Sequence, residues 1–268
     1  MNFGTKFKVA AVQMDCEIGN VESNLAKAKK LIDKAIKKEA KVIVLPELFN
    51  TGYRVEENDS NLSETLYGNT IKWMHKIAET YDIVLIAAII EKIEVEGVFY
   101  DTAVIVDKTG LINKYRKVYL WDQENTRFKK GDEYYVENNG EIKIGLQICY
   151  EIGFPEGARL LALQGANILV YPSAFGKKRF YAWDIASRAR ALENGCYLIA
   201  SNRIGIEKNE TEFGGRSRIV SPRGEVLQEL GGEEGVIVSE IDLESVKKQR
   251  LEIPYLRDLN YRLYTEEK

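Results

Sequence analysis

The chain has 268 residues, of which 45% are hydrophobic and 29% are charged, ordinary values for a soluble protein that buries a large core. Its formal net charge of −3 comes from 38 basic and 41 acidic residues spread along the chain, and no basic block indicates a nucleic-acid partner. The length allows one α/β domain or two. Because no low-complexity linker divides the sequence, we expect a single domain over residues 1–268.

Apolar runs and cysteine spacing indicate where in the cell the protein is expected. The start, MNFGTKFKVAAVQMD, holds only a short apolar run broken by a glutamine, unlike the hydrophobic region of a signal peptide. The longest apolar run, 83–90, is too short to span a bilayer. Cys16, Cys149 and Cys196 form no CxxC pair, which disfavours a disulfide framework and a zinc site. We therefore expect a cytoplasmic protein with no membrane partner and no bound metal.

Short runs rich in β-branched residues predict strands, and helical patterns lie between several of them. In chain order the strand candidates are 8–14, 41–46, 82–90, 101–107, 142–149, 167–172, 196–202 and 235–242. One helix is predicted over 21–36 behind an N-cap at Asn20, and another over 180–194, closed by Gly195. This alternation favours an α/β layered fold.

Residues 40–47 and 166–173 align without a gap. Each copy is an apolar strand that ends next to a proline and follows a helical pattern. Two related halves, each with its own sheet, explain this similarity, and chance likeness between apolar strands is the alternative.

Three reactive side chains stand where a buried strand ends or in an unusual local pattern. Glu47 follows an apolar strand, at the edge where α/β ligand sites are built, unless it is a solvated loop acid. Lys117 lies in an alternating stretch that points one basic side chain inward, unless it is a surface lysine on an edge strand. Cys149 lies between a strand and a helix start, the arrangement of an exposed nucleophile, with an inert core thiol as the alternative.

The sole histidine, His75, lies in the charged, helix-like run KWMHKIAETY, where a solvated helix position is expected. Cys–His and Ser–His–Asp catalysis both require an imidazole base. A nucleophilic mechanism in this chain therefore predicts a base other than histidine, which disfavours a papain-like thiol hydrolase.

The motifs PELF with TGY behind it, YRKVYL and ICYEIGFPEGAR resemble, in this order and spacing, the three catalytic blocks of the nitrilase superfamily, the carbon–nitrogen hydrolases. The resemblance covers nearly the whole chain, because it continues in KVAAVQMD, NLAKAKKLIDKA, YPSAF, WDIASRARALENGCYLIASN, GRSRIVSPRGEVL and DLNYRLY. It implies an α/β fold, a four-layer α-β-β-α sandwich of two face-packed sheets with outer helices. It also implies a homodimer or higher homo-oligomer, paired through helices near 157–164 and 180–194, with DLNYRLY helping to cover the partner.

The resemblance also implies roles for individual residues. Cys149 is the nucleophile, Glu47 the general base and Lys117 the cationic partner, while Glu124 is the second acid, with Asp122 close by. A carboxylate beside the thiol can take its proton, and an ammonium favours the thiolate and the tetrahedral oxyanion, so no histidine is needed. Mutual charge compensation in a dry pocket predicts a charged Lys117 and a Glu47 that is ionised or shares its proton with Cys149.

Neighbouring residues are candidates for binding the substrate. The backbone N–H of Tyr150 is expected to hold the oxyanion together with Lys117. Four aromatic residues are candidate pocket walls, although each is equally typical of a core: Tyr53, Trp121, Phe175 and Trp183. The basic cluster Lys177, Lys178 and Arg179 either recognises a substrate carboxylate or is a solvated charge run.

The resemblance therefore implies a hydrolase that converts a small amide, aliphatic or ω-amide, to a carboxylic acid and ammonia through a cysteine thioester, without a cofactor. N-Carbamoyl compounds and nitriles are the alternative substrates. Tyr150 favours the amidase side, because nitrilases usually carry tryptophan after the cysteine. A non-catalytic scaffold of the same fold is the alternative from another class, but it predicts loss of a catalytic side chain, and all three are present.

Overall fold

The computed structural model describes residues 3–260, and two six-stranded sheets form its framework. The strands are β1 (Lys6–Gln13), β2 (Ala40–Glu47), β3 (Val84–Lys92), β4 (Phe99–Asp107), β5 (Gly110–Arg116), β6 (Val136–Asn139), β7 (Ile142–Leu146), β8 (Ile168–Ser173), β9 (Tyr197–Asn202), β10 (Ile206–Glu207), β11 (Thr211–Glu212), β12 (Arg218–Val220), β13 (Val226–Glu229) and β14 (Gly235–Asp242). The helices are α1 (Val21–Lys37), α2 (Asp59–Leu62), α3 (Asn69–Tyr81), α4 (Glu124–Arg127), α5 (Pro155–Leu163), α6 (Phe180–Asn194), α7 (Glu244–Glu252) and α8 (Tyr255–Asp258).

The two large sheets have the same topology. The first has the strand order β14-β1-β2-β3-β4-β5, and the second has the order β6-β7-β8-β9-β12-β13. In each sheet three parallel strands form the centre, and antiparallel strands flank them on both sides. The similar segments 40–47 and 166–173 contain β2 and β8, which occupy the same place in the two sheets. The prediction of two related halves is therefore confirmed in the topology.

Alternating side chains of the first sheet divide the molecule into layers. Val9 and Ala11 of β1 pack toward the second sheet, while Ala10 and Val12 face a separate apolar cluster with α1 and α3. Helices α5 and α6 pack on the second sheet. The chain is therefore a four-layer α-β-β-α sandwich, as the sequence predicts, because strands buried on both faces need a helical layer outside. The core shared by both sheets supports the prediction of one domain, which stays a prediction.

Local sequence signals locate the two predicted helices. Asn20 caps α1, since its side chain accepts a hydrogen bond from the Ser23 N–H at 3.1 Å. Gly195 ends α6 with φ 55°, the left-handed conformation that glycine adopts at little cost. All eight predicted strands are present, at boundaries that differ by a few residues. No helix within residues 3–260 is long and apolar enough to cross a membrane. The DLNYRLY ending lies from position 261 onward outside the described residues.

Tight packing joins α5 to the segment that precedes Cys149. A Cβ added at Gly157 would lie 2.2 Å from Nε2 of Gln147 and 2.8 Å from the hydroxyl of Tyr134. Gln147 is fully buried, and its Oε1 accepts a hydrogen bond from the Tyr171 hydroxyl at 2.5 Å. The Gln147 side chain therefore has little room to move away.

We expect Gly157→Ala to lower the free energy of unfolding by about 1 to 3 kcal/mol, because overpacking outweighs the gain in helix propensity. Urea unfolding followed by circular dichroism measures the change. Gly153→Ala is the matched control, since a Cβ there would meet nothing within 4 Å. Equal stability of the two variants would contradict the packing argument.

Candidate active site

Glu47 ends β2 in the interface between the two sheets and is fully buried. Its Oε1 accepts a hydrogen bond from Nζ of Lys117 at 2.5 Å. Its Oε2 accepts one from the backbone N–H of Ala174 at 2.7 Å. Ala174 directly follows β8 of the second sheet, so the carboxylate spans the equivalent ends of two central strands. Both oxygens have donors, which favours the ionised form.

Lys117 lies one residue beyond β5, and its ammonium is enclosed by three carboxyl groups. Nζ lies 2.5 Å from Glu47, 3.3 Å from Asp101 and 2.9 Å from Glu124. All four side chains are buried, and the three carboxyl groups are close enough together to be metal ligands. The Lys117 ammonium contacts all three of them, so this residue supplies the positive charge that such a cluster requires.

Cys149 begins a 3₁₀ turn, Cys149–Gly153, three residues after β7 ends. Its φ of 46° is left-handed, which is uncommon for a residue with a side chain and costs about 1 to 3 kcal/mol. Such a conformation persists only where the surroundings fix it. The Tyr150 backbone N–H has no hydrogen-bond acceptor among the described residues, so it is available to an incoming group.

Glu151 fixes this turn against the segment that follows Lys117. Its Oε2 accepts a hydrogen bond from the Ile148 N–H at 2.7 Å. Its Oε1 accepts hydrogen bonds from the Val118 N–H at 2.9 Å and from the Tyr115 hydroxyl at 2.6 Å. Burial nevertheless raises the pKa of Glu151 to about 7. One buried carboxyl therefore holds the cysteine turn and the lysine segment in a fixed relative position.

Burial and neighbouring charges set the pKa values of Glu47 and Lys117. Burial raises the pKa of Glu47, but Lys117, Asp101 and Cys149 outweigh that effect and hold it below its usual value. Burial lowers the pKa of Lys117, but Glu124, Glu47 and Asp101 raise it well above its ordinary value. Lys117 is thus charged and Glu47 ionised, as the sequence predicts.

The other groups of the cluster favour their neutral forms. Burial, and then the charge of Glu47, raises the pKa of the Cys149 thiol and of the Asp101 carboxyl well above their usual values. Burial also raises the pKa of Glu124, although Lys117 partly offsets it. A protonated thiol beside an ionised carboxylate is the starting state for general-base catalysis.

The loop from Trp121 to Glu124 connects this cluster to an open cavity. Glu124 accepts hydrogen bonds from the Tyr53 hydroxyl at 2.6 Å and from the Trp121 backbone N–H at 2.8 Å. The cavity has a volume of about 240 Å³. Its walls include Tyr53, Trp121, Glu124, Arg127, Lys178 and Arg179. A small molecule in the cavity therefore lies next to Glu124, one of the three buried acids around Lys117.

The sequence-predicted residues are placed as follows. Glu47, Lys117 and Glu124 are in direct contact, and Asp122 is exposed outside the cluster. Tyr53 and Trp121 line the cavity. Phe175 is buried, with its ring 5.3 Å from that of Trp183.

The expectation that Trp183 is a pocket wall is wrong. Its side chain is fully buried in the core, and its indole N–H donates to the Arg216 carbonyl at 3.0 Å. His75 lies on α3, where its Nε2 is 3.2 Å from the Lys108 carbonyl, away from the cluster.

Sequence reasoning missed Asp101 and Glu151. Asp101 lies in β4, and an acid at the beginning of an apolar run was the only signal for it. Glu151 is part of the CYE motif, but three of its four side-chain hydrogen bonds come from residues more than 30 positions away. No local pattern contains that information.

Comparisons with known proteins agree on one family. The profile of the carbon-nitrogen hydrolases matches residues 8–251. A protein named nitrilase from Pyrococcus abyssi is 38% identical over 253 residues, covering 91% of this chain and 93% of that protein. The 2-oxoglutaramate amidase of Bacillus subtilis is 35% identical over 263 residues, covering 97% and 100%. A double mutant of the amidase from Nesterenkonia sp. AN1, solved in complex with acrylamide, has a TM-score of 0.86 with 26% identity over 98% of both chains.

The charge distribution predicts a large loss of stability for one substitution and a small loss for another. Lys117→Met removes the cation from the carboxyl cluster and should lower the free energy of unfolding by about 3 to 5 kcal/mol at pH 8. Asp101→Asn should cost less than about 1 kcal/mol, because an amide resembles the protonated acid that is already there. Urea unfolding of both variants and the parent measures these changes.

The loss in Lys117→Met should depend on pH. Without Lys117, burial is opposed only by hydrogen bonds such as those from Asp101 and Cys149, and because burial is the largest single effect we expect the folded-state pKa of Glu47 to rise above the unfolded value. A raised pKa stabilises the folded state below the unfolded pKa, and this contribution is lost as pH rises through the folded pKa. The deficit relative to the parent should therefore shrink from pH 8 to pH 5. A deficit that grows toward low pH would contradict this charge assignment.

Proposed function

Because the chain belongs to the carbon–nitrogen hydrolase family, we propose that Cys149, Glu47 and Lys117 are its catalytic residues and that it hydrolyses a small primary amide. The observation that carries the proposal is the contact of an ionised, buried Glu47 with the Lys117 ammonium, next to a cysteine held at φ 46°. The reaction converts an amide and water to a carboxylic acid and ammonia.

The first half of the reaction forms a thioester. Glu47 accepts the proton of the Cys149 thiol as the sulfur attacks the carbonyl carbon of the amide. The Tyr150 N–H and the Lys117 ammonium donate hydrogen bonds to the resulting oxyanion, and each such donor contributes about 3 kcal/mol to lowering the barrier. When the C–N bond breaks, protonated Glu47 gives its proton to the leaving nitrogen, and ammonia departs.

The second half releases the acid. Glu47, ionised again, accepts a proton from water as the water oxygen attacks the thioester carbonyl. The same two donors hold the second oxyanion. The C–S bond then breaks, and the proton on Glu47 returns to the Cys149 sulfur. The carboxylic acid leaves, and the starting protonation state is restored.

Glu124 and Asp101 serve this cycle through Lys117. Both contact the ammonium, and Tyr53 and Trp121 orient Glu124. Asp101 contributes a hydrogen bond that lowers the pKa of Glu47. The two acids therefore position the ammonium and keep the base ionised.

An amide is the first substrate class to test, since Tyr150 follows the nucleophile and one relative is named 2-oxoglutaramate amidase. The relative named nitrilase makes nitriles the second candidate. Ammonia release from short aliphatic amides, ω-amides and nitriles discriminates these classes, and N-carbamoyl compounds belong in the same panel. Faster turnover of nitriles than of every amide would make nitriles, and not amides, the preferred substrate class.

Cys149→Ala should abolish ammonia release from the best amide, with an unchanged circular-dichroism spectrum and unfolding midpoint. Cys196→Ala is the matched control, because Cys196 is an equally buried thiol that donates to the Ala166 carbonyl outside the site. We expect the control to keep most of the parent activity. Turnover by Cys149→Ala at the parent rate would remove Cys149 from the mechanism.

An apolar face on the second helical layer supports a homodimer as part of this proposal. Tyr181, Ile185 and Leu192 of α6 follow helical spacing on one face, and Leu160 of α5 is exposed as well. Ile185 is 67% exposed, unusual for an isoleucine of a helix that is not paired. A second copy of this chain is the proposed occupant. We also propose a cytoplasmic location, and the three free cysteines fit a reducing compartment.

We expect Ile185→Glu to convert a dimer to a monomer, because a charge in the middle of an apolar interface loses its hydration without gaining a partner. Multi-angle light scattering after gel filtration measures the mass of each variant. Leu251→Glu is the control, since Leu251 is 82% exposed on α7, and it should remain dimeric. A monomeric parent, or equal dissociation of both variants, would refute this interface.

A further inference from the structure

Arg179 places an unpaired positive charge on the wall of the cavity, which Trp121 and Glu124 also line. We propose that Arg179 binds a carboxylate at the far end of the substrate, so that the enzyme selects ω-amides of dicarboxylic acids over neutral amides. This inference rests on the amidase function proposed above. Of the basic cluster Lys177, Lys178 and Arg179, only Arg179 is assigned the role of binding the carboxylate.

Three basic residues around the cavity, unlike Arg179, are paired with acidic side chains. Arg127 forms two hydrogen bonds with Asp59, and Arg54 pairs with Glu56. Lys177 pairs with Glu212 at 2.6 Å. Within residues 3–260 the Arg179 guanidinium has neither an ion-pair nor a hydrogen-bond partner.

Two other charged side chains at the cavity have no ion-pair partner in the described part of the chain, Lys178 and Asp122. Both are exposed to solvent, whereas Arg179 is half-buried. Of the three, Arg179 is therefore the charge that gains most from a partner inside the cavity.

Packing holds the Arg179 guanidinium in place. Its Cζ lies 4.3 Å from the centre of the Trp121 ring, a cation–π contact. A Cβ added at Gly176 would lie 2.9 Å from Nη2, so the glycine provides the space that the guanidinium occupies. A side chain that is held in this way loses little freedom when it binds a ligand.

The position of Arg179 matches a substrate that reaches from one end of the cavity to the other. The Trp121 ring, on which Arg179 stacks, lies 4.8 Å from the ring of Tyr150, the residue next to the nucleophile. The same Trp121 donates its backbone N–H to Glu124, which contacts Lys117. Two aromatic rings, those of Trp121 and Tyr150, thus connect the free guanidinium to the residue beside Cys149.

The chemistry of the guanidinium identifies the ligand class. Its planar fork of N–H donors fits the two oxygens of a carboxylate. A neutral aliphatic amide offers no anion and leaves the charge unpaired. A dicarboxylate monoamide has its amide at one end and its carboxylate at the other, so it can meet Cys149 and Arg179 at the same time.

The test compares glutaramate with valeramide, which has the same chain length and a methyl group in place of the carboxylate. The parent should have a higher kcat/KM for glutaramate, and Arg179→Gln should reduce the ratio of the two values about 10- to 100-fold. Arg179→Lys should give an intermediate ratio, because it keeps the charge but not the fork. Arg216→Gln is the matched control.

Arg216 also stacks on an aromatic ring, Phe180, at 4.7 Å, but it pairs with Glu229 and lies outside the cavity. Its substitution should leave the ratio unchanged. Calorimetric binding of glutaramate to Cys149→Ala gives a readout that needs no turnover, and adding Arg179→Gln should weaken that binding by a similar factor.

Each result has a definite meaning. An unchanged ratio in Arg179→Gln, or an equal loss for both substrates, would overturn the carboxylate role of Arg179. A parent that turns over no amide would overturn the proposed amidase function instead. In that case tight glutaramate binding that depends on Arg179 would still support the carboxylate site.

Discussion

The contact of one ammonium with three buried carboxyl groups is the constraint on which the rest of the site depends. Removing four ionisable groups from water is costly, and only mutual compensation and hydrogen bonds make the cluster tolerable. Lys117 supplies that compensation at 2.5 to 3.3 Å from its three partners. Because a single positive charge cannot neutralise three carboxylates, the acids must differ in protonation. The pKa of Asp101 is raised well above its usual value and that of Glu47 is lowered, which supports the proposed role of Glu47 as the base.

The fold brings this cluster together through the similarity of its two halves. The central strands β2 and β8 end at equivalent places in two sheets that pack face to face. At that meeting point the first half supplies the Glu47 carboxylate, and the second supplies the Ala174 N–H that binds it. Cys149, the proposed nucleophile, follows β7, which lies beside β8. Two copies of one topology therefore contribute different chemistry, because the residues after equivalent strands have diverged.

Local sequence signals located eight of the strands and two of the helices and singled out Glu47, Lys117 and Cys149 as candidates, but they did not contain the proton distribution. Strands buried on both faces are continuous apolar runs, and the caps Asn20 and Gly195 mark helix ends by local hydrogen bonding and backbone conformation. Asp101 escaped because an acid at the start of an apolar run has the same appearance at a site and at a solvated strand end. Trp183 was misplaced because core aromatics and pocket aromatics share the same spacing. Both distinctions depend on packing between distant segments.

The proposed substrate selection and the proposed catalysis both involve one short segment of the chain, Trp121 to Glu124. Trp121 supports the Arg179 guanidinium with its ring, and its backbone N–H holds Glu124 against Lys117. A carboxylate bound at Arg179 would therefore contact, through the Trp121 ring, the same loop that orients Glu124. Binding energy gained at the non-reacting end of a substrate can in this way be used to align the reacting end. A neutral amide would reach the same cysteine without that alignment. The preference for ω-amides over neutral amides should therefore arise from better alignment of the bound substrate as well as from tighter binding.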